Sequence, residues 1–227
     1  MCRPPNADTR TLHYVDPADS PGTSCSYDDD RDCADGQCLV GAITNFTLQA
    51  SCSLKVPQQT RFDALRFVVH LVGDLTQPLH VCGRDRGGNS VKLHFGGRAT
   101  NLHSIWDTNM VQKRLAEMAS SAADIDGFAA YLVKQIGTGS YRTQAKTWVR
   151  NVQFDAVNHN GNANTIVDWA GDSDAANCEY VWGAVDADPD QDFSAAYYSL
   201  VAPKIDLQLA KAGLRLAYWL NSAFASC

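Results

Sequence analysis

The sequence predicts an all-α protein, a single, mainly helical domain with one small β-hairpin or loop region. Two apolar stripes carry that reading. Phe62, Leu65, Val69 and Val72 recur at steps of three and four, as do Ile205, Leu209, Ala212, Leu216 and Trp219. That spacing puts side chains on one face of a helix. The third observation is a break. Residues 82–100, "CGRDRGGNSVKLHFGGRAT", turn glycine-rich and hold the short alternation Val91, Leu93, Phe95, which fits a hairpin or loop.

In chain order, residues 1–38 read as irregular, with "DPADSPGTS" and an acidic run through Asp28, Asp29, Asp30 and Asp32. Helices are expected over 39–51 and 58–74, and Pro57 suits the first turn of the second. Helix resumes near Leu102 and runs to about Ala119, and another covers 125–136. Residues 141–159 read as one or two helices, with "NHNGNANT" interrupting as a turn. "DADPDQDFS" is a loop before a last helix from Pro203 to Phe224. No repeat and no long linker divides the chain, so residues 1–227 are expected to form one domain.

Composition narrows the class. The 227 residues, 45% of them hydrophobic, suffice for a real core and exclude a disordered chain. No apolar run approaches the length of a membrane span. The net charge is 19 minus 25, or −6, without the basic stripe that duplex DNA requires. A nucleic-acid substrate stays open, because bound cations would reverse the local sign. The eight cysteines contain no CxxC pair, which argues against a zinc ribbon. Their even number points to disulfides and an extracellular compartment. Asn45-Phe46-Thr47 is a glycosylation sequon. The start, Met1-Cys2-Arg3-Pro4-Pro5, has no apolar signal region. Secretion would therefore require a piece not present in this chain.

The chemistry concentrates in two places. His70 and Asp74 are four apart, as are His103 and Asp107, so each pair shares a helix face. His80 follows Pro78, where the helix cannot continue. Neutral imidazoles plus carboxylates suit zinc. The alternative is that His70 and His103 are hydrogen-bonded core histidines, and spacing alone does not separate the two. His94 reads as structural or exposed. Asp155 and His159 repeat the spacing in reverse order and are weak candidates.

"HLVGDLTQPLHV" and "DRGGNSVKLHFGGRATNLHSIWD" resemble the core signature of the zinc-dependent single-strand nucleases of fungi and plants. That family shares its fold with bacterial zinc phospholipase C. "LHYVDPADSPGTSCSYDDDRDCADGQCLVGAI", "VDWAGDSDAANCEYVW" and "AKAGLRLAYWLN" resemble further family segments, so nearly the whole chain is covered. The resemblance implies a cluster of three zinc ions. His80, His103 and Asp107 would hold one. His13 and His70 would hold a second, with Asp74 bridging to the third and orienting the catalytic water. It places Tyr14 and Asp16 at a nucleobase pocket and Asn89 beside the metal cleft. It also implies disulfides Cys33–Cys38 and Cys25–Cys178, leaving Cys2, Cys52, Cys82 and Cys227 without assigned partners.

The expected function is a secreted, monomeric endonuclease for single-stranded DNA and RNA, with 3′-nucleotidase activity. A zinc phospholipase C and an inactive metal-binding fragment are the competing readings, and Tyr14 and Asp16 favour the nuclease. Two departures bear on activity. The family begins with a tryptophan that binds zinc, whereas the first tryptophan here is Trp106. The resemblance thus implies a missing early segment, fewer zinc ions and reduced activity. Thr76 stands where the family usually has histidine, which would weaken the site.

Overall fold

The computed structural model describes residues 9–118, 124–155 and 159–225. Within them the chain forms α1 (Asp29–Asp32), α2 (Leu39–Ala50), α3 (Gln58–Thr76), α4 (Leu102–Ser104), α5 (Met110–Met118), α6 (Ile125–Gly137), α7 (Ala145–Trp148), α8 (His159–Ala176), α9 (Trp182–Ala187) and α10 (Ala196–Phe224). A hairpin of β1 (Lys92–Phe95) and β2 (Arg98–Asn101) sits between α3 and α4. The expected helical architecture with one small hairpin is therefore what the chain adopts.

The hairpin turns at Gly96 and Gly97, both with positive φ (62° and 71°). A two-residue turn that follows strand twist needs this conformation, and glycine supplies it without strain. The Asp192 carboxylate accepts from both glycine N–H groups at 2.9 and 2.7 Å, which fixes the turn to the loop before α10.

Three apolar clusters make the core. One joins Leu39 and Ile43 of α2, Phe67 and Leu71 of α3, Ile166 and Trp169 of α8, and Trp219. A second gathers Leu79, Leu93, Leu102, Trp106, Trp182, Phe193 and Tyr197 behind the hairpin. The third packs Phe128 and Leu132 of α6 and Trp148 of α7 on Ala210. α10 contributes Trp219, Ile205 and Ala210 to the three clusters in turn, so one long helix ties them together. It starts earlier than expected. Pro203 lies inside it although its ring removes one backbone bond. Burial of Tyr197, Tyr198 and Val201 upstream outweighs that loss.

Three local expectations need correction. "NHNGNANT" is not a turn: α8 runs through its positions from His159 onward. Ile166, Trp169 and Ala170, all buried on that helix, hold it in the core against weak local propensity. Between 141 and 155 only α7 is helical. The helix expected over 102–119 is interrupted by a π turn, Ile105–Asn109.

Both implied disulfides are present. Cys25–Cys178 spans 153 residues and Cys33–Cys38 spans 5. In the chain-entropy account the longer loop stabilises by about 5 kcal/mol. Cys52 is also disulfide-bonded, and Cys82 is free and buried. Asn45 is exposed on α2. Its sequon partner Thr47 is committed to the core, where it donates to the Ile43 carbonyl and accepts from Trp219 Nε1.

A carboxyl pair lies beside the long disulfide. Donor atoms of Asp19, Cys25 and Asp174 fall within 4.8 Å of one another. The sulfur of Cys25 is consumed by its disulfide, so the group lacks a thiolate and is not a metal centre. Asp19 accepts from Ser26 N–H and Asp174 from Tyr27 N–H. The second oxygen of each carboxyl is buried without a partner, and one shared proton would satisfy both. Burial, with the charge of Asp19 behind it, pushes the Asp174 carboxyl up to about 7 from 3.8. Tyr27, Asp32 and Cys82 also face the pair. A raised carboxyl favours the folded state while it is protonated. That stabilisation is complete below the unfolded value and is lost as pH rises through about 7. The urea midpoint should accordingly fall between pH 5 and 8. Asp19→Asn, whose amide can donate to Asp174, should flatten the profile relative to wild type in the same metal state.

Candidate metal centre

The last turns of α3 place His70 and Asp74 on one face. Gln77 then ends the helix with an extended backbone. Its side-chain oxygen accepts from Leu79 N–H at 2.6 Å and so starts the short 3-10 turn Pro78–His80. Its amide nitrogen donates to Asp107 at 2.7 Å. One glutamine thus stops a helix, opens a turn and holds a candidate ligand. The turn is buttressed from behind by buried Asn177, which donates to the carbonyls of Pro78 and Val81 at 3.0 and 2.9 Å.

His80, His103 and Asp107 converge. His80 Nε2 lies 3.3 Å and His103 Nε2 3.2 Å from oxygens of Asp107. A second trio lies beside them. His13 Nδ1 is 2.9 Å and His70 Nε2 3.2 Å from Asp74 Oδ2, and the two ring nitrogens are 3.1 Å apart. In each trio the donor atoms lie within 4.8 Å of one another. The residues expected from the sequence are brought together in two groups. The π turn carries Asp107 at its centre, as such turns often do at functional sites.

The donor chemistry fits a divalent cation. His80 Nδ1 donates to the His13 carbonyl at 2.6 Å, and His103 Nδ1 donates to the Gly87 carbonyl at 2.7 Å. A carbonyl only accepts, so both protons reside on Nδ1 and both Nε2 lone pairs are available in the neutral rings. The separations of 3.2 and 3.3 Å match the edge of about 3.3 Å expected for a tetrahedron with ~2.0–2.1 Å zinc–ligand bonds. Burial works against the charge on Asp107, but wherever the His103 and His80 rings carry a second proton, on Nε2, their hydrogen bonds outweigh it and hold the carboxyl far below its usual range. With neutral rings the two Nε2 lone pairs and the carboxylate face one another as ligands for a cation. Asp107 is therefore ionised and ready as a ligand. Thr76 spends its hydroxyl on the Val72 carbonyl and adds no donor to either trio.

A cavity of about 320 Å³ opens against the two trios, lined in part by His13, Tyr14, Asp16, His80, Arg86, Asn89 and His103. Tyr14 is 40% exposed, leaving its ring free to stack. Burial raises the Asp16 carboxyl above its ordinary range. Asn89 anchors its amide on the Arg86 carbonyl at 2.9 Å. His94 is exposed on β1, as expected of a residue outside the site. The side chain of His159 lies outside the described residues. Gln77, Gly87, Arg86 and Asn177 were not legible as site residues. The only hints were a glutamine before the helix-ending proline and the paired glycines of "DRGGN".

Residues 3–225 match the family model described as S1/P1 Nuclease. The chain belongs to the S1/P1 nuclease family. It is 39% identical over 218 residues to Nuclease P1 of Penicillium citrinum, covering 95% of this chain and 77% of that protein. It is equally similar to Nuclease PA3 of Penicillium sp. Identity to Nuclease S1 of Aspergillus oryzae is 34% over 215 residues, covering 94% and 71%.

In this S1/P1 family member the support for His103 is unusually confined. Gly87 has φ +60°, and a Cβ there would come 2.5 Å from the Leu79 carbonyl. Gly87→Ala should displace the carbonyl that orients His103 and weaken zinc binding about 10–100-fold, read by chelator competition. Gly96→Ala, also at positive φ but with nothing within 4 Å, should leave zinc affinity unchanged.

Proposed function

We propose that the chain is a zinc-dependent endonuclease that hydrolyses phosphodiester bonds of single-stranded DNA and RNA, with 3′-nucleotidase activity at the same site. The observation that carries this reading is the pair of three-donor groups, joined through His13, beside a cavity walled by Tyr14 and Asp16. His80, His103 and Asp107 would hold one zinc ion, and His13, His70 and Asp74 another. When bound, zinc supplies a water of lowered pKa and positive charge for the developing oxyanion.

The chain's own residues do the rest. Asp74 orients the attacking water through its carboxylate. Tyr14 stacks on a base, which must be unpaired to reach the ring. Asp16 reads the base edge, accepting from an exocyclic amine when ionised. Asn89 holds substrate through its amide. These roles favour a nuclease over a phospholipase. Residues 1–227 act as one domain. The disulfides support an extracellular location, and no described helix is long and apolar enough to cross a membrane. A monomer suffices, since all six donors come from one chain.

Elemental analysis of the purified chain should find about two zinc ions. The zinc-loaded chain should cut a single-stranded oligonucleotide and spare its duplex. Chelation should abolish cleavage, and zinc should restore it. His103→Ala should lower kcat/KM by about a thousandfold or more, since the ligand serves the reacting centre itself. Cleavage that survives chelation, or phosphatidylcholine hydrolysis without cleavage of single strands, would overturn the proposal.

A further inference from the structure

We infer that Arg86 is a substrate-binding residue whose guanidinium pairs with a phosphate of the nucleic-acid strand at the mouth of the cavity. The inference rests on the nuclease reading and adds to it the group that grips the strand beside the metal ligands.

Three observations lead there. Arg86 lines the cavity together with His13, His80 and His103, and no other lysine or arginine does. In a chain of net charge −6, it is the fixed cation at that opening. The second observation is that its side chain is unspent. Arg84, two residues earlier, grips both oxygens of Asp186, donates to the Pro21 carbonyl at 2.9 Å and lies 4.0 Å over the Trp182 ring. Among the described residues the Arg86 guanidinium has no hydrogen bond and no ion pair; only its backbone is used, its N–H by the Gly83 carbonyl and its carbonyl by Asn89. Neither Asp16 in the same cavity nor neighbouring Asp85 pairs with it, and Asp85 is instead 3.6 Å from Arg84.

The third observation is the backbone. Asp85, Arg86, Gly87 and Gly88 take φ values of 51°, 58°, 60° and 74° in succession. Glycine adopts this conformation freely and arginine does not. Strain of this kind gathers where structure around it enforces a functional geometry. The same turn presents the Gly87 carbonyl to His103, so the guanidinium is carried on the segment that orients a candidate ligand. A planar fork of donors on an exposed, anchored turn matches a phosphate, which it can hold through two hydrogen bonds at once.

The test uses a single-stranded phosphorodithioate oligonucleotide, which keeps its charge and resists cleavage, and follows its binding to the zinc-loaded chain across a salt series. Arg86→Ala should weaken binding about tenfold at low salt and flatten the log–log salt dependence by about 0.7, the contribution of one phosphate on a single strand. Arg86→Lys should restore the slope but only part of the affinity. Arg86→Gly should show the same loss as alanine without lowering Tm, separating binding from folding. Arg98→Ala removes an equal charge from the exposed hairpin and should leave the slope alone. Wild-type affinity and slope in Arg86→Ala would overturn the inference. So would a loss that is independent of salt and varies with base identity, or a wild-type chain that does not bind the probe. Cleavage of an ordinary single strand by the same samples is scored separately. Binding without cleavage would sink the nuclease reading and leave the Arg86 result standing.

Discussion

The site depends on one short backbone pairing. Val15 N–H donates to the His80 carbonyl at 2.9 Å, and Cys82 N–H donates to the Val15 carbonyl at 3.1 Å. This parallel bridge between Val15 and Val81 lays residues 13–16 along the turn that follows α3. Val15 and Val81 are both buried, so the pairing is apolar on its inner side. Outward, it sets His13 beside His70 and Asp74, and Tyr14 and Asp16 at the cavity. The His13 carbonyl also takes the Nδ1 proton of His80. His13 therefore serves one trio with its ring and orients the other with its backbone, which couples the two groups mechanically.

Buried amides stabilise that arrangement where apolar packing cannot. Asn177 reaches Pro78 and Val81 from a second π turn, Asn177–Val181, that follows α8, and Gln208 of α10 donates to the Thr76 carbonyl at 2.8 Å. The chain leaves helical geometry at Gln77, so the Thr76 and Val81 carbonyls have no helical partners, while the Pro78 carbonyl adds Asn177 to the Val81 N–H it accepts in the 3-10 turn. A buried carbonyl without a partner costs about 1–3 kcal/mol. The two amides remove that cost. The Cys25–Cys178 disulfide lies next to Asn177 in sequence and limits the freedom of the same region.

Much of the fold was legible because its signals are local and repeated. α2, α3 and α6 fall within a residue or two of expectation, since helical spacing and flanking breakers mark them. The hairpin showed through its paired glycines. The misreadings occurred where distant contacts decide. The segment at 159–165 looked like a turn by composition, yet α8 passes through it because Ile166 and Trp169 are anchored in the core. Pro203 looked like a helix start, yet α10 begins earlier to bury two tyrosines.

By itself the sequence determined the helical class, the two i,i+4 histidine–aspartate pairs and, through resemblance, the family and both assigned disulfides. Those are properties of spacing and motif order, which a linear string preserves. Only the tertiary structure decided which nitrogen of each histidine is free, that Gln77 and Gly87 orient the donors, and that Arg84 is occupied while Arg86 is not. These depend on hydrogen bonds between residues far apart in the chain. Each bond forms or fails within a few tenths of an ångström, a tolerance that spacing along a sequence does not encode.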